Sequence, residues 1–307
     1  ALLSAPSLAA QSPLAQLPAP AVILGQPAPA PFPALLLSDI HLNPFHDPAK
    51  VAQLNSSPEA LWPSILGSPN SSTQPADSAA LSETCPVHGV DTTNPLWQSS
   101  LYAIHARAGT VNPVHFVILS GDLLAHSFDC MYKTLLPTAT SDDYLAFTAK
   151  TIRYIVQGLH QALPGVPIYI SLGNGDSGCG DYRLDPTHDA FLARTAPILS
   201  QAIGPALPSG DLASFLTDFE AGGFYNLPLA GVPHTRLIVL DDQNRRVFLR
   251  RRQLAQQRGQ SGAVDRLGHE FGGAERKPEI AVVDDGQHDH GDMFERRVRF
   301  HDAEHRP

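Results

Sequence analysis

Three apolar runs of β character each end in residues able to bind a metal: Leu35-Leu36-Leu37-Ser38-Asp39-Ile40-His41, Phe116-Val117-Ile118-Leu119-Ser120-Gly121-Asp122 and Ile168-Tyr169-Ile170-Ser171-Leu172-Gly173-Asn174. A strand fixes where its last residues point, and in an open α/β sheet the ligand-binding crevice lies outside the carboxyl ends of the strands. Three adjacent strand ends can therefore aim carboxylate, imidazole and amide groups at one point. Asp39 and His41 are two residues apart, which puts both side chains on the same side of an extended backbone.

The pattern between the runs supports this arrangement. Residues 142–163 read as a helix: Ser141 is a good N-cap, Asp142 and Asp143 complement the positive helix end, and Leu145, Ala149, Ile152, Val156, Leu159 and Leu163 recur at steps of three or four. Pro164-Gly165 stops it, and a strand over 166–172 follows at once. Strand, helix, strand predicts a βαβ crossover in a parallel sheet. Helices are also expected over 96–108, 186–203 and 211–220, and strands over 114–120, 224–228 and 235–240. The polar stretch Asn55 to Thr93, rich in Ser-Pro, Pro-Asn-Ser-Ser and Gln-Pro-Ala-Asp, has loop composition and is expected to surround the site.

At 307 residues and 43% hydrophobic, the chain is long enough for one domain of catalytic size. The net charge of −9 argues against a nucleic-acid binder, whose phosphate affinity needs clustered Lys and Arg. That charge is uneven. Residues 1–243 hold 8 basic and 19 acidic side chains, against 13 and 11 in residues 244–307, where 12 of the 17 arginines and only 2 of the 28 prolines lie.

A boundary near Gln243 follows, giving an Ala/Pro-rich leader and linker over 1–33, a domain over 34–242 and a polar, Arg-rich tail over 243–307 that is either out of frame or disordered. The opening Ala1 to Ala10 is similar to the end of a secretory h-region with an Ala-rich cleavage site, or else to a plain Ala/Pro leader. A secreted or periplasmic location is the expectation, with no transmembrane segment, because no apolar run reaches the roughly 20 residues a span needs. Cys85, Cys130 and Cys179 lack CxxC spacing; two of the three can pair, and the sequence leaves open which.

The clusters D-x-H, then G-D, then G-N, each after an apolar strand, resemble the calcineurin-like metallophosphoesterases. Ser38-Asp39-Ile40-His41 with Phe45-His46-Asp47-Pro48, Gly121-Asp122-Leu123-Leu124-Ala125-His126, and Asp176-Ser177-Gly178-Cys179-Gly180-Asp181-Tyr182 narrow the likeness to the acid-sphingomyelinase-like branch, over about residues 34–242. The resemblance implies an α/β fold, a β-sandwich flanked by helices, with its C-terminal part incomplete here. It implies that Asp39 and His41 bind one metal, that Asp122 bridges two, and that Asn174 binds the second, the ions being zinc, manganese or iron. It further implies metal-dependent hydrolysis of a phosphomonoester or phosphodiester, such as a phospholipid headgroup, by a metal-activated hydroxide.

The sequence departs from that family twice. Gly175 stands where the family has the histidine proposed as proton donor; His126 is the candidate to replace it, or else a histidine that orients Asp122. The histidines expected from C-terminal strands are also missing: Gly268-His269-Glu270 and His288-Asp289-His290 are the only approximations, and no β-type run is expected directly ahead of either. The competing reading is a non-catalytic binding or structural protein that kept the fold's strand ends.

Overall fold

The computed structural model describes residues 32–87, 89–108, 113–181, 189–232 and 235–240, with the backbone of two further strands at 280–284 and 295–296. In chain order these form β1 (Ala34–Leu37), α1 (Val51–Ser56), α2 (Trp62–Gly67), α3 (Gln74–Thr84), α4 (Asn94–Ala108), β2 (Phe116–Leu119), α5 (Phe128–Leu135), α6 (Ser141–Ala162), β3 (Ile168–Ile170), α7 (Asp189–Ile203), α8 (Leu212–Gly222), β4 (Tyr225–Pro228), β5 (Thr235–Val239), β6 (Ile280–Asp284) and β7 (Glu295–Arg296). The protein is mixed α/β and predominantly helical.

β1, β2 and β3 pair side by side in parallel, with Leu36 opposite Ile118 and Ile118 opposite Tyr169. The crossover from β2 to β3 runs through α5 and α6, so the expected βαβ unit forms. β2 and β3 are buried along their whole length, as a parallel sheet covered on both faces requires. On the outer edge of β3, one side chain pairs with the backbone of Ile170. The Tyr225 hydroxyl accepts from Ile170 N at 2.9 Å and donates to Ile170 O at 3.0 Å, filling both ladder positions of the residue.

α6 supplies much of the core. Thr140, one residue before the expected cap, accepts from Asp143 N while the Asp143 carboxylate accepts from Thr140 N, a reciprocal capping box. Phe147 is fully buried against Trp62, with ring centroids 5.2 Å apart, and against Phe45, Phe128 and Tyr132.

Two expectations are corrected. The stretch 55–93 is largely helical, forming the end of α1, then α2 and α3, because Pro63 and Pro75 occupy first-turn positions where proline starts a helix and leaves no helical acceptor without its donor. Trp62 then anchors α2 through its indole, which donates to Leu54 O. Second, a β strand does stand ahead of His288-Asp289-His290: Ile280–Asp284 pairs antiparallel with β5, Val282 opposite Leu237, and β7 pairs with β6. Its apolar Ile-Ala-Val-Val supplies the β character.

The second sheet is therefore four-stranded, in the order β4-β5-β6-β7. The Gln243 boundary and His269, His288 and His290 lie outside the described residues. Among the described residues, no helix is long and apolar enough to cross a membrane.

Candidate metal centre

The β1–β2 ladder does not stop where the strands do. Asp39 N donates to Gly121 O, His41 N to Asp122 O at 2.8 Å and Leu42 N to Leu123 O at 2.9 Å, so the loops that carry Asp39, His41 and Asp122 continue side by side. On the other flank of the β1 loop, Thr92 N donates to His41 O at 3.0 Å and Thr92 O accepts from Asn43 N at 2.9 Å. His41 is thus held between two neighbouring backbones.

This backbone is strained at the positions that matter. Among the described residues, four that are not glycine have positive φ: Asp39 (54°), His41 (41°), Asp122 (53°) and Ser127 (51°). A left-handed conformation costs a residue with a Cβ on the order of 1 kcal/mol, and such residues gather where surrounding structure forces a functional geometry. Three of the four are residues singled out from the sequence as metal ligands, and the fourth adjoins His126. The left-handed turns at Asp39 and His41 replace the extended geometry that the D-x-H spacing suggested.

Gly121 and Gly173 let the second and third loops touch. A Cβ on Gly121 would lie 2.7 Å from Gly173 Cα, and one on Gly173 would lie 2.7 Å from Asp122 Cγ. Gly121 also has φ +94°. The carboxylate of Asp176 ties the same loops: Oδ1 accepts from Leu123 N at 2.8 Å and Leu124 N at 3.0 Å, and Oδ2 from Gly173 N at 2.9 Å. Burial pushes this carboxyl up to about 7 against the pull of those three N–H groups, and the nearby Asp122 charge pushes the same way.

Asp39, His41 and Asp122 bring their ligand atoms together within 4.8 Å of one another. His41 Nε2 lies 4.0 Å from Asp39 Oδ1 and 3.9 Å from Asp122 Oδ2. The remaining atoms of the two central residues are committed elsewhere. His41 Nδ1 faces the Leu124 carbonyl at 3.0 Å; a carbonyl only accepts, so Nδ1 carries a hydrogen and Nε2 is the nitrogen turned toward the carboxylates. Asp122 Oδ1 accepts from Gly175 N at 3.0 Å, leaving Oδ2 on the His41 side.

One imidazole nitrogen and two carboxylates, each oriented by a backbone partner or a strained turn, fit a divalent cation. Asp39 is 48% exposed and His41 15%, so the group opens to solvent on the Asp39 side.

Asn174 is half-buried and lies between Gly173 and Gly175, both of which meet Asp122, so the backbone sets it beside the expected bridging carboxylate. His126 stacks on His41 with ring centroids 4.1 Å apart and planes 16° from parallel. Its Nδ1 pairs with Asp91 Oδ1 at 2.6 Å rather than with Asp122. Asp91 has no sequence signal for this role: it sits just ahead of α4, where an acidic residue reads as a helix-start feature. The role of Asp176 is visible only in the folded chain, because a buried carboxylate serving three backbone donors has no sequence signature.

Cys85 and Cys130 form a disulfide joining the end of α3 to α5, and Cys179 is outside it. No family model matches this chain, and no curated protein matches it either.

Proposed function

We propose that the chain is a metal-dependent phosphoesterase, hydrolysing a phosphomonoester or phosphodiester. The observation that carries this reading is the convergence of Asp39, His41 and Asp122 at the ends of parallel strands, with His41 Nε2 left free by the Leu124 carbonyl. A divalent cation there, zinc, manganese or iron, would polarise a phosphoryl oxygen and lower the pKa of a bound water toward neutrality. Asn174 is the candidate for a second cation shared through Asp122.

The chain's own residues have distinct parts. Leu124 O and Gly175 N hold His41 and Asp122 in the orientation that presents Nε2 and Oδ2. His126, flat against His41, is the candidate to donate a proton to the leaving oxygen, since Gly175 offers no side chain for the task. The Cys85–Cys130 disulfide fits an exported protein, in keeping with a secreted or periplasmic location. A phospholipid headgroup is one substrate within this class.

The test is hydrolysis of a chromogenic phosphodiester by the purified chain with zinc or manganese. Turnover is expected, with a loss of at least about 100-fold in His41→Ala and Asp122→Ala, because a ligand loss should exceed the 10–100-fold of an outer partner. Bound metal below one per chain with no turnover would favour the non-catalytic reading.

A further inference from the structure

The structure points to Asp91 as the positioning residue of His126, and we propose that it fixes both the tautomer and the plane of that ring. This rests on the phosphoesterase reading for its consequence in turnover, but not for its geometry. The Asp91 side chain is 4% exposed, and its Oδ1 meets His126 Nδ1 at 2.6 Å, a short hydrogen bond to a carboxylate. A carboxylate accepts, so Nδ1 carries a hydrogen and Nε2 is the nitrogen left to meet a substrate oxygen.

Asp91 is itself placed by backbone. Its neighbour Thr92 exchanges hydrogen bonds with His41 O and Asn43 N, and Leu42 bridges Thr92 on one side and Leu124 on the other. Asp91 and His41 therefore ride on one hydrogen-bonded frame, and the His126 ring is confined between them, bonded to the first and stacked on the second. His126 sits at the end of the Asp122–Ala125 loop, so a ring turned by any other partner would leave that stack. Ser127 fixes the following residue: its N donates to Asp181 Oδ2 at 2.6 Å and its Oγ to Pro86 O at 2.9 Å, at a positive φ of 51°.

During hydrolysis the oxygen of a hydroxide, formed when a water gives its proton to solvent, bonds to phosphorus and the bond from phosphorus to the leaving oxygen breaks. For this step His126 carries a hydrogen on each ring nitrogen; the one on Nε2 moves to that leaving oxygen, and His126 is left neutral with its Nδ1 hydrogen still bonded to Asp91. The role of Asp91 is to keep that hydrogen on Nδ1 and the ring in place. Its loss should then depend on the leaving group, because a nitrophenolate departs without a proton and an alkoxide does not.

Two measurements on the full-length chain test this. Nitrogen-15 spectra of histidine-labelled protein should show His126 protonated at Nδ1, with that signature lost in Asp91→Ala and retained in Asp91→Glu. With manganese present, Asp91→Ala should slow an alkyl phosphodiester about 10–100-fold and a nitrophenyl phosphodiester less than threefold, with KM and metal affinity unchanged and Asp91→Glu recovering part of the loss. A His126 with no hydrogen on Nδ1 in the wild type, or equal losses on both substrates, would overturn the proposal. Wild-type protein with the expected spectra and no turnover would sink the phosphoesterase reading while leaving the positioning role standing.

Discussion

The start of α6 and the carboxyl ends of β1, β2 and β3 are held in opposite ways. At α6 every local preference agrees: Thr140 and Asp143 cap each other, acidic residues face the helix dipole, and the apolar stripe meets the core. At the strand ends local preference is overruled. Asp39, His41 and Asp122 are turned left-handed, two glycines are pressed together, and a buried carboxylate binds three backbone donors across two loops. The contrast identifies the first region as built for stability and the second as built for a geometry that stability alone would not select.

Substitution should separate them. The largest effect is expected from Gly173→Ala, where the new Cβ would press on the backbone and carboxylate of Asp122; a loss of about 4 kcal/mol or failure to fold is expected by chemical denaturation. A loss below about 1 kcal/mol would mean that the two loops are not packed as described. Asp176→Asn comes next. Its amide cannot accept at both positions, so at least one of the three N–H groups loses its partner and about 2 kcal/mol is lost, together with metal affinity.

The two smallest changes have opposite signs. Thr140→Ala should cost about 1 kcal/mol through the lost cap. Asp39→Gly should raise stability by up to about 1 kcal/mol, because glycine takes φ 54° without strain, while metal binding falls. Thermal melts in chelator compared with isothermal metal titration check both. A destabilised Asp39→Gly would erase the distinction between the two regions.

The same contrast explains what could be read from sequence. The strands and α6 were legible because apolar runs and three-to-four spacing report burial directly, and because three parallel strand ends of this kind imply a common edge. α2 and α3 were not, since Pro63 and Pro75 look like breakers in isolation and act as helix starters only once Trp62 and its neighbours have a core to enter. Within the site, Asp39, His41 and Asp122 were legible as residue types at strand ends, but their left-handed turns were not. Asp91 reaches His126 from 35 positions away through the pairing of Thr92 with the His41 loop, a relation that exists only in the folded chain.

The measurement that bears most directly on the central claim is anomalous diffraction from crystals of the protein soaked in zinc. A peak is predicted within about 2.0–2.2 Å of His41 Nε2 and of carboxylate oxygens of Asp39 and Asp122. Folded, zinc-soaked protein with no peak at those three side chains, or with the ion held by Asp91 and His126 instead, would contradict it.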